Sequence, residues 1–254
     1  MKIKQLLSAA VLAVLITAVL VDTPLLASNG SGVSHSLFGD LLHKYVSDGN
    51  VNYAGFQSEE DKLDQYLALL QSVDPEPLSR NEQFAFYANA YNAWTIKLIL
   101  TKYPGIESIK ELGILSTGPW KKKVVRLSGE TVSLDHIEHD ILRPRFKDPR
   151  VHFAINCAAI SCPPLRSEPY LADKLDQQLE DATRSFINNP DSYRLEGQNL
   201  HVSRIFKWFS EDFNEDALGF FIKHANQDLK EKLAANPEKI SIKYLEYDWS
   251  LNGK

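Results

Sequence analysis

The chain has 254 residues, 44% of them hydrophobic and 24% charged, with 12 Gly, 12 Pro and a single Met. These proportions exclude a disordered, collagen-like or multi-span membrane chain and leave enough length to bury a substantial core. The formal net charge of −5 argues against a nucleic-acid partner, whose binding rests on phosphate contacts. The one dense basic run, Lys121-Lys122-Lys123, fits a solvated strand edge better than a phosphate site.

Lys2 and Lys4 precede an apolar run from Leu6 to Val21, and Leu25-Leu26-Ala27 before Ser28 offers a cleavage point. The pattern predicts a signal peptide over residues 1–27 and an exported protein, periplasmic or extracellular. A helix over that run spans about 24 Å, short of a ~30 Å hydrocarbon core. Stable membrane insertion is therefore not expected once the leader is removed; an uncleaved N-terminal anchor is the alternative. Residues 28–35 are Gly/Ser-rich and read as a flexible leader.

Leu37, Leu41, Leu42 and Tyr45 recur at helical spacing and predict a helix from Leu37 to Val46. Asp48-Gly49-Asn50 is a turn into a short extended piece, and Asp61 to Val73 is a second amphipathic helix. Ser79 caps a long helix from Arg80 to Lys102, stopped by Pro104-Gly105. Its apolar side chains surround almost the whole circumference, which predicts a buried central helix. Asn89 and Asn92 on it must find partners, or each costs ~1–3 kcal/mol.

The period then changes to two. Lys123–Leu127 and Thr131–Val132 flank Ser128-Gly129-Glu130 as a hairpin, and Ser133 caps a short helix from Leu134 to Leu142. Val151 to Asn156 reads as a strand, Cys157 to Pro164 as a loop, and Tyr170 to Ile187 as a helix. A second hairpin pairs Tyr193–Leu195 with Leu200–Val202. Helical segments follow over Ser203–Trp208, Glu215–His224 and Asp228–Ala235, and Ile240 to Asp248 forms a last strand. This order predicts one α+β domain over residues 36–254, with a buried central helix, hairpins and a small mixed or antiparallel sheet.

Two Cys occur, Cys157 and Cys162, followed by Pro163-Pro164. In an exported chain they suggest a local disulfide. A short loop gains little from such a link, so a reactive thiol is the competing reading. On the predicted strand His152 and Asn156 share one face while Cys157 points to the other. Cys162, whose loop can fold back toward His152, is then the candidate nucleophile. Glu138 falls inside the stripe of Leu134, Ile137 and Ile141, with His136 and Asp140 on the solvated side and His139 between. A carboxylate aimed at a core must be paired, with Arg143 or Arg150 the candidates, or have its pKa raised by desolvation. Zinc held by His and Cys is a third possibility, but neither C-x2-C nor H-x3-H spacing occurs. No sequence pattern implies a cofactor.

Tyr87–Ala93, Ser133–His139, His152–Cys157, Ser161–Arg166 and Tyr247–Asn252, with Lys207–Phe213 as a further segment, resemble the motifs of the domain of unknown function 547 family. The resemblance spans residues 80–252. It implies a single domain, found in many exported bacterial proteins and at the C-terminus of some plant proteins, with no established reaction. Its motifs fall on Asn92, Glu138, His152 and Cys162.

These four residues define the expected site: Cys162 as nucleophile, His152 as base, Glu138 orienting the base, and Asn92 donating to an oxyanion. The expected chemistry is thiol-dependent hydrolysis or acyl transfer on an amide or ester of a small-molecule or peptide-like substrate. The alternatives are a binding or scaffolding domain with a structural Cys157–Cys162 disulfide, and a zinc-binding protein.

Overall fold

The computed structural model describes residues 32–113 and 118–253; the expected signal peptide and the first part of the leader lie outside the described residues. The first part of the fold consists of α1 (Ser36–Tyr45), β1 (Val46–Ser47), β2 (Asn50–Val51), α2 (Tyr53–Ser58), α3 (Glu60–Ser72) and α4 (Arg80–Leu100). β1 and β2 pair antiparallel across the Asp48-Gly49 turn. The three helices expected in this region are present, with ends shifted by a residue or two.

Ser79 caps α4 as expected. Its side chain accepts from the Glu82 N–H while the Glu82 carboxylate accepts from the Ser79 N–H, a reciprocal arrangement that satisfies two otherwise orphaned donors. Sixteen of the 21 residues of α4 are buried, and α2 and α3 pack on it, with α1 against α2 and α3. The two buried amides brace neighbouring loops. Asn89 donates to the Tyr170 carbonyl (2.8 Å) and accepts from the Tyr170 N–H (2.9 Å). Asn92 donates to the Ala154 carbonyl (2.9 Å) and accepts from the Asn156 N–H (2.8 Å).

β3 (Val125–Leu127) and β4 (Glu130–Val132) form the first expected hairpin. Ser133 Oγ then accepts from the His136 N–H at 3.1 Å. The helix that follows is wider than expected. His136–Leu142 is a π-helix whose end is closed by the Arg143 N–H on the Glu138 carbonyl, before α5 (Arg143–Phe146).

The expected strand over Val151–Asn156 is instead one helical turn, α6 (Val151–Ala154), followed by extended Ile155. Asp148 starts it: its carboxylate accepts from the Arg150 N–H (2.9 Å) and its carbonyl from the Val151 N–H (3.1 Å). An apolar run this short reads alike as a buried strand or a buried helical turn, so periodicity alone does not discriminate. α6 is also a seam. Val151 and Ala154 pack into the core around α4, whereas Phe153 packs into a second apolar cluster with Phe186, Phe206 and Phe213.

That second cluster gathers α7 (Leu175–Ile187), β5 (Tyr193–Glu196), β6 (Asn199–Val202), α8 (Ile205–Trp208), α9 (Ala217–His224), α10 (Gln227–Ala234) and β7 (Ser241–Tyr244). α7 begins at Leu175 and not at Tyr170, because Tyr170 is bound to Asn89 and the Leu171 N–H to Gln178 Oε1 (2.9 Å). The sheet is mixed: β5 runs antiparallel to β6, and β7 parallel to it. The α+β fold with separate small sheets matches the expected class.

The last strand ends at Tyr244, short of the expected Asp248. Residues 245–253 turn back as a clasp over the first core. The Asn252 N–H bonds the Ala158 carbonyl (3.1 Å), the Val51 N–H bonds the Asn252 carbonyl (3.0 Å), and the Leu251 N–H bonds the Glu107 carbonyl (2.8 Å). Asn252 also accepts from the Tyr53 hydroxyl at 2.7 Å. Among the described residues, no helix is long and apolar enough to cross a membrane.

Candidate functional site

A cleft of about 200 Å³ opens where the π-helix, α6, α8 and the C-terminal clasp meet. Glu138, His152, Cys157 and Cys162 all line it. Three of the four expected site residues therefore converge; Asn92 does not line the cleft. Its amide is held by the backbone of Ala154 and Asn156, and it positions the end of α6 instead of serving an oxyanion.

Cys157 and Cys162 are joined as a disulfide. In this oxidised form Cys162 has no thiolate, so the nucleophile reading applies only to the reduced pair. The helical turn of α6 overturns a second inference. With no strand, His152 and Cys157 are not held on opposite faces, and both reach the same cleft. Cys162 is 7% exposed and Cys157 half-buried. Cys162 Sγ accepts from the Cys157 N–H at 2.9 Å and from the Tyr247 hydroxyl at 3.3 Å; the same hydroxyl lies 3.4 Å from Cys157 Sγ. The Asn156 amide, which donates to the Pro163 carbonyl (2.8 Å) and accepts from the Ala158 N–H (2.9 Å), closes the base of this loop.

Glu138 does not orient His152. Its carboxylate accepts from the Tyr91 hydroxyl at 3.3 Å. Burial pushes its pKa up to about 7, against the downward pull of Tyr91 and Arg143 and with the help of Asp135 and Asp212. The partner of His152 is Asp212, in the short turn Ser210–Phe213, at 2.6 Å from Nε2. The imidazole is buried, stacked on Phe209 with ring centroids 4.1 Å apart. Desolvation lowers its pKa against the opposing pull of Asp212. Burial also works against the Asp212 carboxylate, but hydrogen bonds from His152 and Arg143 outweigh it and hold its pKa down to about 2. Arg143 binds Asp212 and Glu211, each at 2.6 Å, and its Nη1 lies 2.8 Å from His139 Nδ1. His136, read as solvated, pairs with Asp140 at the surface (2.8 Å).

Tyr91, Asp212 and Tyr247 are the site residues that the spacing argument missed. Tyr91 sits one position before Asn92 on a helix apolar all round, within the Tyr87–Ala93 segment that carried the family resemblance but gave it no role. Asp212 and Tyr247 lie within the Lys207–Phe213 and Tyr247–Asn252 segments, which carried a family resemblance but no assigned role. Aromatic rings complete the wall: Trp208, Tyr247 and Trp249 pack mutually with centroids 4.5–5.7 Å apart, and Trp120 lies 5.5 Å from Trp249. Among the described residues, no group of three or more His, Cys, Asp or Glu is placed to hold a metal ion.

Fold and cleft together define an α+β protein with a disulfide set in an aromatic-walled acidic pocket. Residues 75–187 match the family model described as Protein of unknown function, DUF547. The match takes in α4, Glu138, His152 and both Cys; Asp212, Trp208, Tyr247 and Trp249 lie beyond it. No curated protein and no solved structure matches the chain.

Proposed function

We propose that the chain is exported and that its Cys157–Cys162 pair exchanges with thiols of a substrate bound in the cleft. One observation carries this reading: both sulfurs line the cleft while Cys162 Sγ receives two donors. Donors on a sulfur stabilise its thiolate and make it the better leaving group. A substrate thiolate attacks the half-buried Cys157 Sγ. The new substrate–Cys157 bond forms as the Cys157–Cys162 bond breaks, and the electron pair passes to Cys162 Sγ. A second substrate thiolate then attacks the substrate sulfur of the mixed disulfide and releases Cys157. Two electrons and two protons pass from the substrate dithiol to the Cys pair. Glu138, titrating near 7 in the same cleft, supplies a proton to the departing sulfur and recovers one from the second substrate thiol.

Equilibrating the oxidised protein in glutathione redox buffers, followed by alkylation and intact mass, tests the reading. The reduced fraction is expected to vary across the glutathione range, and Tyr247→Phe to shift the balance toward the disulfide. A pair that stays fully oxidised throughout that range is a structural staple, and the exchange reading fails.

A second reading applies to the reduced form. His152 held by Asp212 at 2.6 Å supports thiol-dependent hydrolysis or acyl transfer, with Cys162 as nucleophile and His152 as base. It requires ester or amide turnover that appears only after reduction and is lost in Asp212→Asn. Equal turnover by oxidised and reduced protein would exclude it.

A further inference from the structure

The wall of the cleft combines ring faces with two carboxylates, one of which, Asp135, lies 3.7 Å from His139 Nε2 while the other, Glu138, feels Arg143 only through space. Asp135 and Glu138 line it beside Trp120, Trp208 and Tyr247. The imidazoles that also line it, His139 and His152, are biased toward the neutral form by desolvation. Arg143 pairs with Glu211 and Asp212 and bonds His139, and it acts on Glu138 through space without a hydrogen bond to it. Two neighbouring rings already carry cations of this chain: Lys110 Nζ lies 4.0 Å from the Trp249 centroid, and the Arg143 guanidinium 5.0 Å from that of Phe209. Trp120, Trp208 and Tyr247 have no such cation among the described residues, and Trp208 is 45% exposed.

We infer that this cleft recognises a cationic group, an ammonium or guanidinium, held between the aromatic rings and the Asp135 and Glu138 carboxylates. A cation over a ring face is drawn by the ring quadrupole, more strongly where water is displaced, and a carboxylate at the rim adds direct charge pairing. A neutral apolar group of the same shape gains only the burial term. The inference names the substrate group for the cleft in which thiol exchange is proposed, but binding does not depend on the state of the Cys pair.

The charge state of Glu138 gives a second signature. The groups around it are the Tyr91 hydroxyl on α4, Asp135, His139 and Arg143 from its own helical segment, and Asp212, His152 and Tyr247 from the packed elements. A bound cation favours the carboxylate over the acid. Binding therefore strengthens as pH rises through about 7 and releases protons when measured below that point.

The test is a titration of the full exported chain in its oxidised form, read by tryptophan fluorescence and calorimetry. The probes are choline, its neutral carbon isostere 3,3-dimethylbutanol, a doubly capped tripeptide with a central lysine, and the same tripeptide with norleucine. Each cation is expected to bind about tenfold tighter than its isostere. Asp135→Asn, at a half-exposed carboxylate, is expected to reduce that ratio, and Asp135→Asn with Glu138→Gln to remove it. Preference for the peptide over choline identifies a side chain of a polypeptide as the source, and the reverse a free amine. Equal affinity of a cation and its isostere, or no binding by any probe, overturns the inference. Repeating the titration with Cys157→Ser/Cys162→Ser separates the two readings, since that protein cannot exchange thiols but retains the rings and carboxylates.

Discussion

At the edge of the cleft, the Glu138 carboxylate accepts from the Tyr91 hydroxyl. The helical wheel put its carboxyl on the buried stripe, and desolvation there raises its pKa to about 7. The folded state therefore prefers the protonated acid. The stability tied to this group is complete below the ordinary value of 4.5 and is lost as pH rises through about 7. Glu138→Gln should be more stable than the parent above that point, by up to ~3 kcal/mol, with the difference vanishing in acid; urea denaturation at several pH values measures it. Equal pH dependence in both proteins would refute the burial argument. Asp212 has the opposite sign. With its pKa held down to about 2, its contribution is present above the ordinary carboxylate value of 3.8 and fades as pH falls toward 2. Asp212→Asn should cost about 1.5–3 kcal/mol at neutral pH, the range for hydrogen bonds to charged groups, and flatten that acid limb. The partner of His152 lies 60 residues away in sequence, beyond the reach of any spacing rule.

At the level of elements, α4 works as a scaffold more than as a source of chemistry. Its capping box and all-round apolar surface were visible in the sequence because both are local patterns. Where Asn89 and Asn92 would bond was not visible, because their partners are carbonyls and N–H groups of distant loops. Asn92→Leu should destabilise the fold by about 2–4 kcal/mol, since it strands the Ala154 carbonyl and the Asn156 N–H. Ser79→Ala should cost only about 1 kcal/mol, the usual worth of a cap. Thermal melts of the two variants compare a buried bracket with an exposed one, and similar losses would count against the bracing role. The misread element, Val151–Ala154, is the seam between the two apolar clusters, where an apolar run serves two cores and carries no clean period.

Across the whole molecule, the C-terminal clasp turns two cores and a loop into a site. It brings Tyr247 to the sulfurs, Trp249 to the cleft wall, and Asn252 to both Tyr53 and Asn156. Gly253 runs so close to the Val51 backbone that a side chain there would collide with it. A chain ending at Glu246 should lose thermal stability and expose the Cys pair to faster reduction. Unchanged melting and reduction rate would show that the clasp is dispensable. Removing the disulfide should matter less: closing so short a loop is worth about 2 kcal/mol in the chain-entropy picture, so Cys157→Ser/Cys162→Ser is expected to fold.

What the residues alone settled were properties carried by neighbours in the chain: the α+β class, the central helix, two hairpins, the caps at Ser79 and Ser133, and the burial of Glu138. Each rests on periodicity or on a short-range hydrogen bond, both of which are written in consecutive residues. Tertiary structure decided who meets whom. It joined Cys157 to Cys162, gave His152 to Asp212 and Glu138 to Tyr91, and closed an aromatic wall from segments more than a hundred residues apart. Those pairings follow from packing two cores against one seam, and no local pattern encodes the distance between side chains that only the folded chain brings together.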